Sequence, residues 1–251
     1  NYKPGTVLDF SLTAMMENLS GPLKRQVTNE SSEIKDKKFT DKISPKLTLP
    51  PGRYYLAVNP SPLQKNKSIP FSRDDQQRLS ASKFVIIGTV AERLEFMQQE
   101  YQTSSGYLAD LDTIYKEFQK ILDKSKEDKK PPADDAAFQQ WQKNAAGKVK
   151  DIDTKIAVLM RNQGYLTFYT QSFSKLHELT ALLRSQLEQF SSAVITANKN
   201  KETSFPFTIN SKMPRLISDI KVFLTKETLL DLDWFYYALV EDLVVAYEAV
   251  K

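Results

Sequence analysis

His177 is the chain's one histidine, set with Glu178 between Leu176 and Leu179. An imidazole titrates near neutral pH and can act as a general base. To do so in nucleophilic catalysis it needs a hydroxyl or thiol and an orienting carboxylate. Neither stands beside it in the sequence, so it reads as a surface or boundary residue of a helix. One histidine also precludes a His-Glu-x-x-His zinc site within this chain. The paired Glu-x-x-His motifs of di-iron bundles are missing too, because Ser174 stands three before His177.

The chain has no cysteine, which excludes disulfides, thiolate catalysis and thiolate-bound zinc. The seven glycines are never closer than sixteen positions. Phosphate-binding loops and dinucleotide fingerprints need closely spaced glycines so that backbone amides can approach phosphate. No cofactor motif follows from these residues. Three carboxylate pairs remain: Asp110 with Asp112, Asp151 with Asp153, and Glu241 with Asp242. Residues two apart on a helix point about 200° apart, so the first two pairs diverge. Adjacent residues diverge as well. All three read as solvated faces, although carboxylates from different helices can still meet in space.

Two aromatic clusters stand out, Trp234-Phe235-Tyr236-Tyr237 and Tyr165-Leu166-Thr167-Phe168-Tyr169. Four consecutive aromatics point all round a helix, and Tyr165, Phe168 and Tyr169 cannot share one seam. Core packing is the plain reading of both. Trp234, Tyr237, Tyr165 and Phe168 are the candidate interaction surface if part of either cluster faces a partner.

The elements that would position these groups are long helices. From Ile87 the chain advances in alternating steps of three and four through Val90, Leu94, Met97, Tyr101, Ser104, Leu108, Leu111, Tyr115, Phe118 and Leu122. Only Ser104 breaks the apolar heptad. The spacing predicts a helix over 74–125, opened by Ser72 with Asp74 and Asp75 in its first turn. About 50 residues would make a rod of roughly 75 Å. Thr103-Ser104-Ser105-Gly106 is its expected bend. Lys129-Lys130-Pro131-Pro132 cannot continue a helix, and Asp134 or Asp135 can cap the next. A second helix over 135–198 follows, with a seam of Trp141, Ala145, Lys148, Ile152, Ile156, Leu159, Gln163, Leu166, Tyr169, Phe173, Leu176, Thr180, Leu183, Leu187, Phe190, Val194 and Ala197. Its register slips near Ile152 and again near Leu166, beside Gly164. Shorter helices are expected over 212–225, with Pro214 in the first turn, and over 228–250, capped by Thr228.

Residues 1–73 hold seven of the twelve prolines between Pro4 and Pro62. Val7–Leu19 is read as a short helix that Gly21-Pro22 stops. Lys46–Val58 is read as a β-hairpin, with Pro51-Gly52 in the turn and Tyr54–Val58 as the returning strand. A lone hairpin is marginal in water and must pack on the helices. The expected fold is therefore mainly α. It is an elongated antiparallel hairpin or bundle of about four main helices over 74–251, with an irregular N-terminal region over 1–73, all in one structural unit.

Apolar residues make up 41% of the chain and charged ones 26%, as in globular proteins. A net charge of +4, with the signs mixed along the chain, argues against nucleic acid, which selects a basic stripe. The longest strongly apolar run, Phe84–Ala91, is too short to span a bilayer. Absence of cysteine and a start at Asn1 suit an exported protein, periplasmic or in the cell envelope, with a leader or lipid anchor removed before Asn1; a cytoplasmic protein is the alternative. Asn18, Asn29 and Asn66 match the glycosylation acceptor pattern. The expected function is a non-enzymatic, protein-binding or scaffolding helical protein, with an unidentified protein partner. The alternatives are a membrane-active helical toxin component and an enzyme with an unrecognised carboxylate site.

Overall fold

The computed structural model describes residues 6–18, 21–33, 49–62, 80–162 and 167–229. The expected cap at Ser72, the acids Asp74 and Asp75, the acceptor Asn66 and the last helix beyond residue 229 lie outside them. The chain is mainly helical, with a four-stranded antiparallel sheet formed by its N-terminal region. It divides into two compact units: Asn1–Met97 with Asn162–Phe168, and Gln98–Arg161 with Tyr169–Lys251.

The first unit is built on the sheet. Strands β1 (Val7–Asn18), β2 (Gly21–Glu33), β3 (Gly52–Pro60) and β4 (Ala81–Ile87) lie in the order β2-β1-β3-β4. Val7–Asn18 is thus a strand, where a helix over Val7–Leu19 was expected. Leu8, Phe10, Leu12 and Ala14 are buried while Asp9, Ser11 and Thr13 between them are half-buried, the two-residue period of a sheet with one core face. β1 pairs with β2 on one side and with β3 on the other, Phe10 facing Val58 and Ala14 facing Tyr54. The expected returning strand is present as β3. It does not pair with residues 49–50, which precede it outside any strand, but with β1 and β4. Tyr54 anchors the unit: it is buried and its hydroxyl donates to the Pro50 carbonyl at 2.7 Å.

β4 occupies sequence that the heptad had assigned to a helix. Val85, Ile86 and Ile87 favour extended backbone, and Gly88 then turns the chain at φ +76°. A Cβ there would lie 2.9 Å from the Pro51 Cβ. Helix α1 (Val90–Asp128) starts immediately after. Thr89 and Glu92 form a reciprocal capping box: the Glu92 amide donates to Thr89 Oγ1 at 3.2 Å and the Thr89 amide to Glu92 Oε2 at 2.6 Å. Arg93, one turn on, is buried with its guanidinium 4.5 Å from the Phe168 ring centroid. A Cβ on Gly52 would come within 2.9 Å of that guanidinium, so a larger residue here would have to displace the end of the Arg93 side chain.

The second unit holds the rest of α1, α2 (Ala136–Asn162), α3 (Thr170–Lys199) and α4 over 212–229. α1 runs through Gly106 without a break, as the continuous register across it predicts. The expected second helix is instead two helices, because α2 ends at Asn162 and Thr167, Phe168 and Tyr169 are non-helical before α3. The slip of register near Leu166 marks the end of a helix rather than a change of supercoil. α4 passes through residue 226 without interruption. Thr228 is therefore not a cap: inside the helix, its hydroxyl donates back to the Leu224 carbonyl at 2.8 Å.

The seams fill the core of this unit. On α1, Ser104, Leu108, Leu111, Tyr115, Phe118 and Leu122 are buried; on α3, every seam position from Phe173 to Ala197 is. α2 departs from its expected seam, because Val149 is buried and Lys148 is exposed. The rings of Phe118, Phe138, Trp141, Phe190, Phe205 and Phe207 form one cluster, Phe190 lying 4.6 Å from Phe118 and 5.2 Å from Phe207.

Both well-defined helix ends close the same way. Lys129 (φ 51°) and Lys201 (φ 54°) take the left-handed conformation. The amides of Lys130 and Glu202 reach back to the carbonyls of Ser125 and Ala197 at 3.2 and 2.9 Å. These are Schellman motifs with lysine where glycine is usual. Asp135 settles the cap of α2, its carboxylate accepting the Phe138 amide at 2.8 Å. The start of α3 has no cap of its own. The buried Glu227 carboxylate of α4 supplies one, accepting the amides of Gln171 and Ser172 at 2.7 and 3.2 Å and the Ser172 hydroxyl at 2.6 Å.

Candidate functional site

His177 does find a carboxylate, and it comes from another helix. Its Nδ1 lies 2.8 Å from Asp153 Oδ1 on α2. The same oxygen accepts the Thr180 hydroxyl at 2.8 Å, and Arg184 approaches the other carboxylate oxygen at 3.8 Å. This has the composition of an acid–base triad without its order. Thr180 spends its proton on Asp153 and on the His177 carbonyl, 2.8 Å away, so it does not face the free imidazole nitrogen. The His177 side chain is 55% exposed. The group ties α2 to α3.

The first two carboxylate pairs diverge as expected. Asp110 pairs with Lys148 of α2 at 2.7 Å, while Asp112 pairs with Lys116 at 2.9 Å and with Lys221 of α4 at 3.7 Å. Asp151 holds Lys155 at 2.7 Å along its own helix, away from Asp153. Glu241 and Asp242 lie outside the described residues. Among the described residues no group of three or more His, Cys, Asp or Glu could hold a metal ion.

Of the candidate interaction surface, Trp234, Tyr237 and Tyr165 also lie outside the described residues. Phe168 is corrected: it is only 6% exposed. Its ring is covered by Phe96, edge-on at 5.8 Å, and by Arg93, so no partner can reach it. Tyr169, its neighbour, is buried in the other unit against Tyr101, with its hydroxyl 2.9 Å from that of Thr228.

Two features emerge that no motif announces. The first is the outer face of the sheet, opposite Leu8, Phe10 and Leu12. Antiparallel register places Tyr55 against Phe84 and Arg53 against Ile86 on this face. Phe84 is 45% exposed and Ile86 57%. The Tyr55 and Phe84 rings meet edge-on at 5.4 Å, and the Arg53 guanidinium lies 3.9 Å from the centre of the Phe84 ring. Among the described residues β4 is an edge strand. The signal lay in the β-branched run before Gly88, which the heptad had absorbed.

The second is a cleft of about 590 Å³ in the helical unit. The last three turns of α1, the Pro131-Pro132 turn and the first two turns of α2 surround it, with Ile121, Phe138 and Trp141 as apolar lining. Trp141 is fixed there by its indole N–H, which donates to Glu117 at 3.0 Å. Pro131 and Pro132 had been read only as a helix stop, and Trp141 only as a seam residue.

Several titrations are displaced by their surroundings: burial raises the phenols of Tyr107 and Tyr115 in the helical unit, and the Asp151 carboxylate raises the Lys155 ammonium. Burial pushes the Tyr54 phenol well above its ordinary value of 10.0, and the nearby Arg93 charge offsets only part of this.

No helix among the described residues is long and apolar enough to cross a membrane. No protein-family model, curated protein or solved structure matches the chain.

Proposed function

We propose that the protein is a non-enzymatic, protein-binding scaffold. In this reading the four helices of the second unit form an antiparallel bundle, and the outer face of the sheet carries the partner surface. The cross-helix contacts support the bundle. From Asp110 to Glu117 on α1, the partners on α2 run backward from Lys148 to Trp141. α2 and α3 are linked at Asp153–His177 and at Phe138–Phe190. α3 and α4 are linked at Gln171–Glu227, and Gln186 of α3 accepts the amide of Asn210 just before α4.

The observation that carries the binding function is the group of Tyr55, Phe84 and Ile86 on the solvent face of an edge strand, with Arg53 stacked on Phe84. Natural proteins blunt such edges with charge or proline, because an open edge invites another strand. Large apolar groups left there favour association, and Tyr, Phe and Arg are enriched where partners bind. The occupant this geometry suits is an extended segment of a partner protein, added along β4 with its alternate side chains on Phe84 and Ile86. Selection from a displayed library of short random peptides tests it. Binders with alternating apolar residues that lose affinity on Ile86→Glu are expected; no enrichment over background, or indifference to that substitution, would overturn the reading.

The toxin alternative needs Phe84–Ala91 as one apolar segment. That stretch is divided among β4, the bend at Gly88 and the first turn of α1. A location in the cell envelope belongs to the same proposal and rests on the lack of cysteine. Fractionation of cells producing the native gene product tests it, and recovery in the cytosol alone would count against it.

A further inference from the structure

The cleft at the Pro131-Pro132 turn combines an apolar lining with unengaged cations. Ile121, Phe138, Trp141, Pro131 and Pro132 supply its apolar surface, and its volume of about 590 Å³ falls in the range of small-molecule sites. Lys120, Lys124 and Lys130 line it as well, and their ammonium groups have no ion-pair or hydrogen-bond partner among the described residues. Three acids share the lining: Glu117, Asp128 and Asp135. Two of them are committed, Glu117 to the Trp141 indole and Asp135 to the Phe138 amide. Asp128 is unengaged, and Glu117 and Asp135 keep their charge because an indole and an amide N–H are neutral; the formal charges of the lining balance, and the three ammonium groups are the donors left for a ligand. The first turn of α2 adds the partial positive charge of a helix start.

We propose that this cleft binds a free amphipathic carboxylate, its apolar chain or ring against Trp141, Phe138 and Ile121 and its carboxylate among the three lysines. Apolar burial supplies most of the affinity, because area against aromatic and aliphatic side chains dominates such sites. The lysines supply the preference for an anion. Each exposed pair contributes little alone, and three acting together are needed for a clear effect. The proposal stands apart from the sheet face, since every residue of the cleft belongs to the helical unit.

Trp141 reports on its own site. The chain has two tryptophans, so Trp234→Phe leaves Trp141 as the only one. Titrating this protein with dodecanoate, kept below micelle formation, is expected to change its emission saturably. Dodecanol, with the same chain and no charge, is expected to bind about tenfold more weakly, the effect of roughly 1.4 kcal/mol. The triple substitution K120Q/K124Q/K130Q is expected to erase that tenfold preference while leaving dodecanol binding unchanged. All three lysines are exposed, so the fold tolerates the change. Calorimetry on the unsubstituted protein gives the same comparison without the fluorophore. Equal affinity for acid and alcohol would overturn the proposal, as would no saturable binding of either. Binding to phosphatidylglycerol vesicles without binding to monomeric dodecanoate would overturn it in favour of a membrane surface.

Discussion

The two units bury their apolar residues in different ways. In the helical unit the core is closed: α3 buries Phe173, Leu176, Leu183, Leu187, Phe190 and Val194 at 0% exposure. In the sheet unit the core is one-sided. Leu8, Phe10 and Leu12 are covered, while Phe84 and Ile86 on the opposite face stay open. Apolar area already removed from water stabilises the fold. Apolar area still in water is available for association. Both units keep some apolar area in water: the helical unit as single residues such as Ile195 and Val222 and as the cleft at the Pro131-Pro132 turn, the sheet unit as Phe84 and Ile86 side by side on one strand.

Substituting one phenylalanine in each unit is the strongest way to break this contrast. Phe190 contacts Phe118, Phe138, Trp141, Phe205 and Phe207, with ring centroids 4.6 to 6.3 Å away. Phe190→Ala should destabilise by about 3–5 kcal/mol, the transfer energy of the ring plus the cavity it leaves. Phe84→Ala should cost well under that, about 1 kcal/mol or less, because the ring is already half in water. Urea denaturation of both variants measures the difference. Comparable losses would mean that the outer sheet face is part of the core after all.

A second contrast is chemical. Burial raises phenols in both units, Tyr107 and Tyr115 in the helical unit and Tyr54 in the sheet unit, and the shift is largest at Tyr54. The folded state raises the Tyr54 pKa above its unfolded value near 10.0. Its contribution to stability is therefore fully present below about pH 10 and is lost as pH rises from there toward the folded value. Tyr54→Phe removes this alkaline dependence, and with it the hydrogen bond to Pro50, at a cost of about 1 kcal/mol near neutrality. Stability measured against pH for the two proteins should thus converge above pH 10. Parallel curves across that range would show that the phenol ionises freely.

How much of this was legible depended on the range of the cause. The seam of α3 was read correctly because a three–four spacing over almost thirty residues has one cheap explanation. The turn at Pro131-Pro132 and the cap at Asp135 were legible for a similar reason, since proline and aspartate act on the backbone beside them. β1 was missed although Leu8, Phe10, Leu12 and Ala14 alternate, because the run is short and Met15 and Met16 end the alternation. β4 was missed because the step from Ile87 to Val90 fits the heptad by coincidence. Thr89-Val90-Ala91-Glu92, a capping box, marked the true boundary. The break after Asn162 left a visible slip of register, but a slip does not say whether a helix bends or stops.

The candidate sites were less legible than the fold. Asp153 is 24 positions from His177, and nothing local selects it from the other carboxylates. The cleft draws on α1, a turn and α2, each residue of which has an ordinary local reading. The sheet face required knowing that β4 existed. Exposure is a property of the assembled chain, which is why the spacing of Tyr165, Phe168 and Tyr169 could not say which of them is buried, as Phe168 is.

The smallest expected effect sharpens the helical side of the comparison. Lys129 and Lys201 hold left-handed backbone in two Schellman motifs. For a residue with a Cβ that conformation costs roughly 1–2 kcal/mol, and glycine avoids the strain while losing more entropy on folding. Lys129→Gly and Lys201→Gly should each stabilise by about 0.5–1 kcal/mol, with no change in the spectroscopic helix content. The gain should appear in the transition that Phe190→Ala lowers, because both caps end helices that bury that cluster. The alkaline dependence of Tyr54 should stay as it was, since its hydroxyl, Pro50 and Arg93 all lie in the sheet unit. A thermal melt of each glycine variant, followed by the same alkaline series, separates the two. If the caps also altered the behaviour of Tyr54, the units would be thermodynamically one, and the contrast between a closed core and an open face would describe two sides of a single cooperative structure.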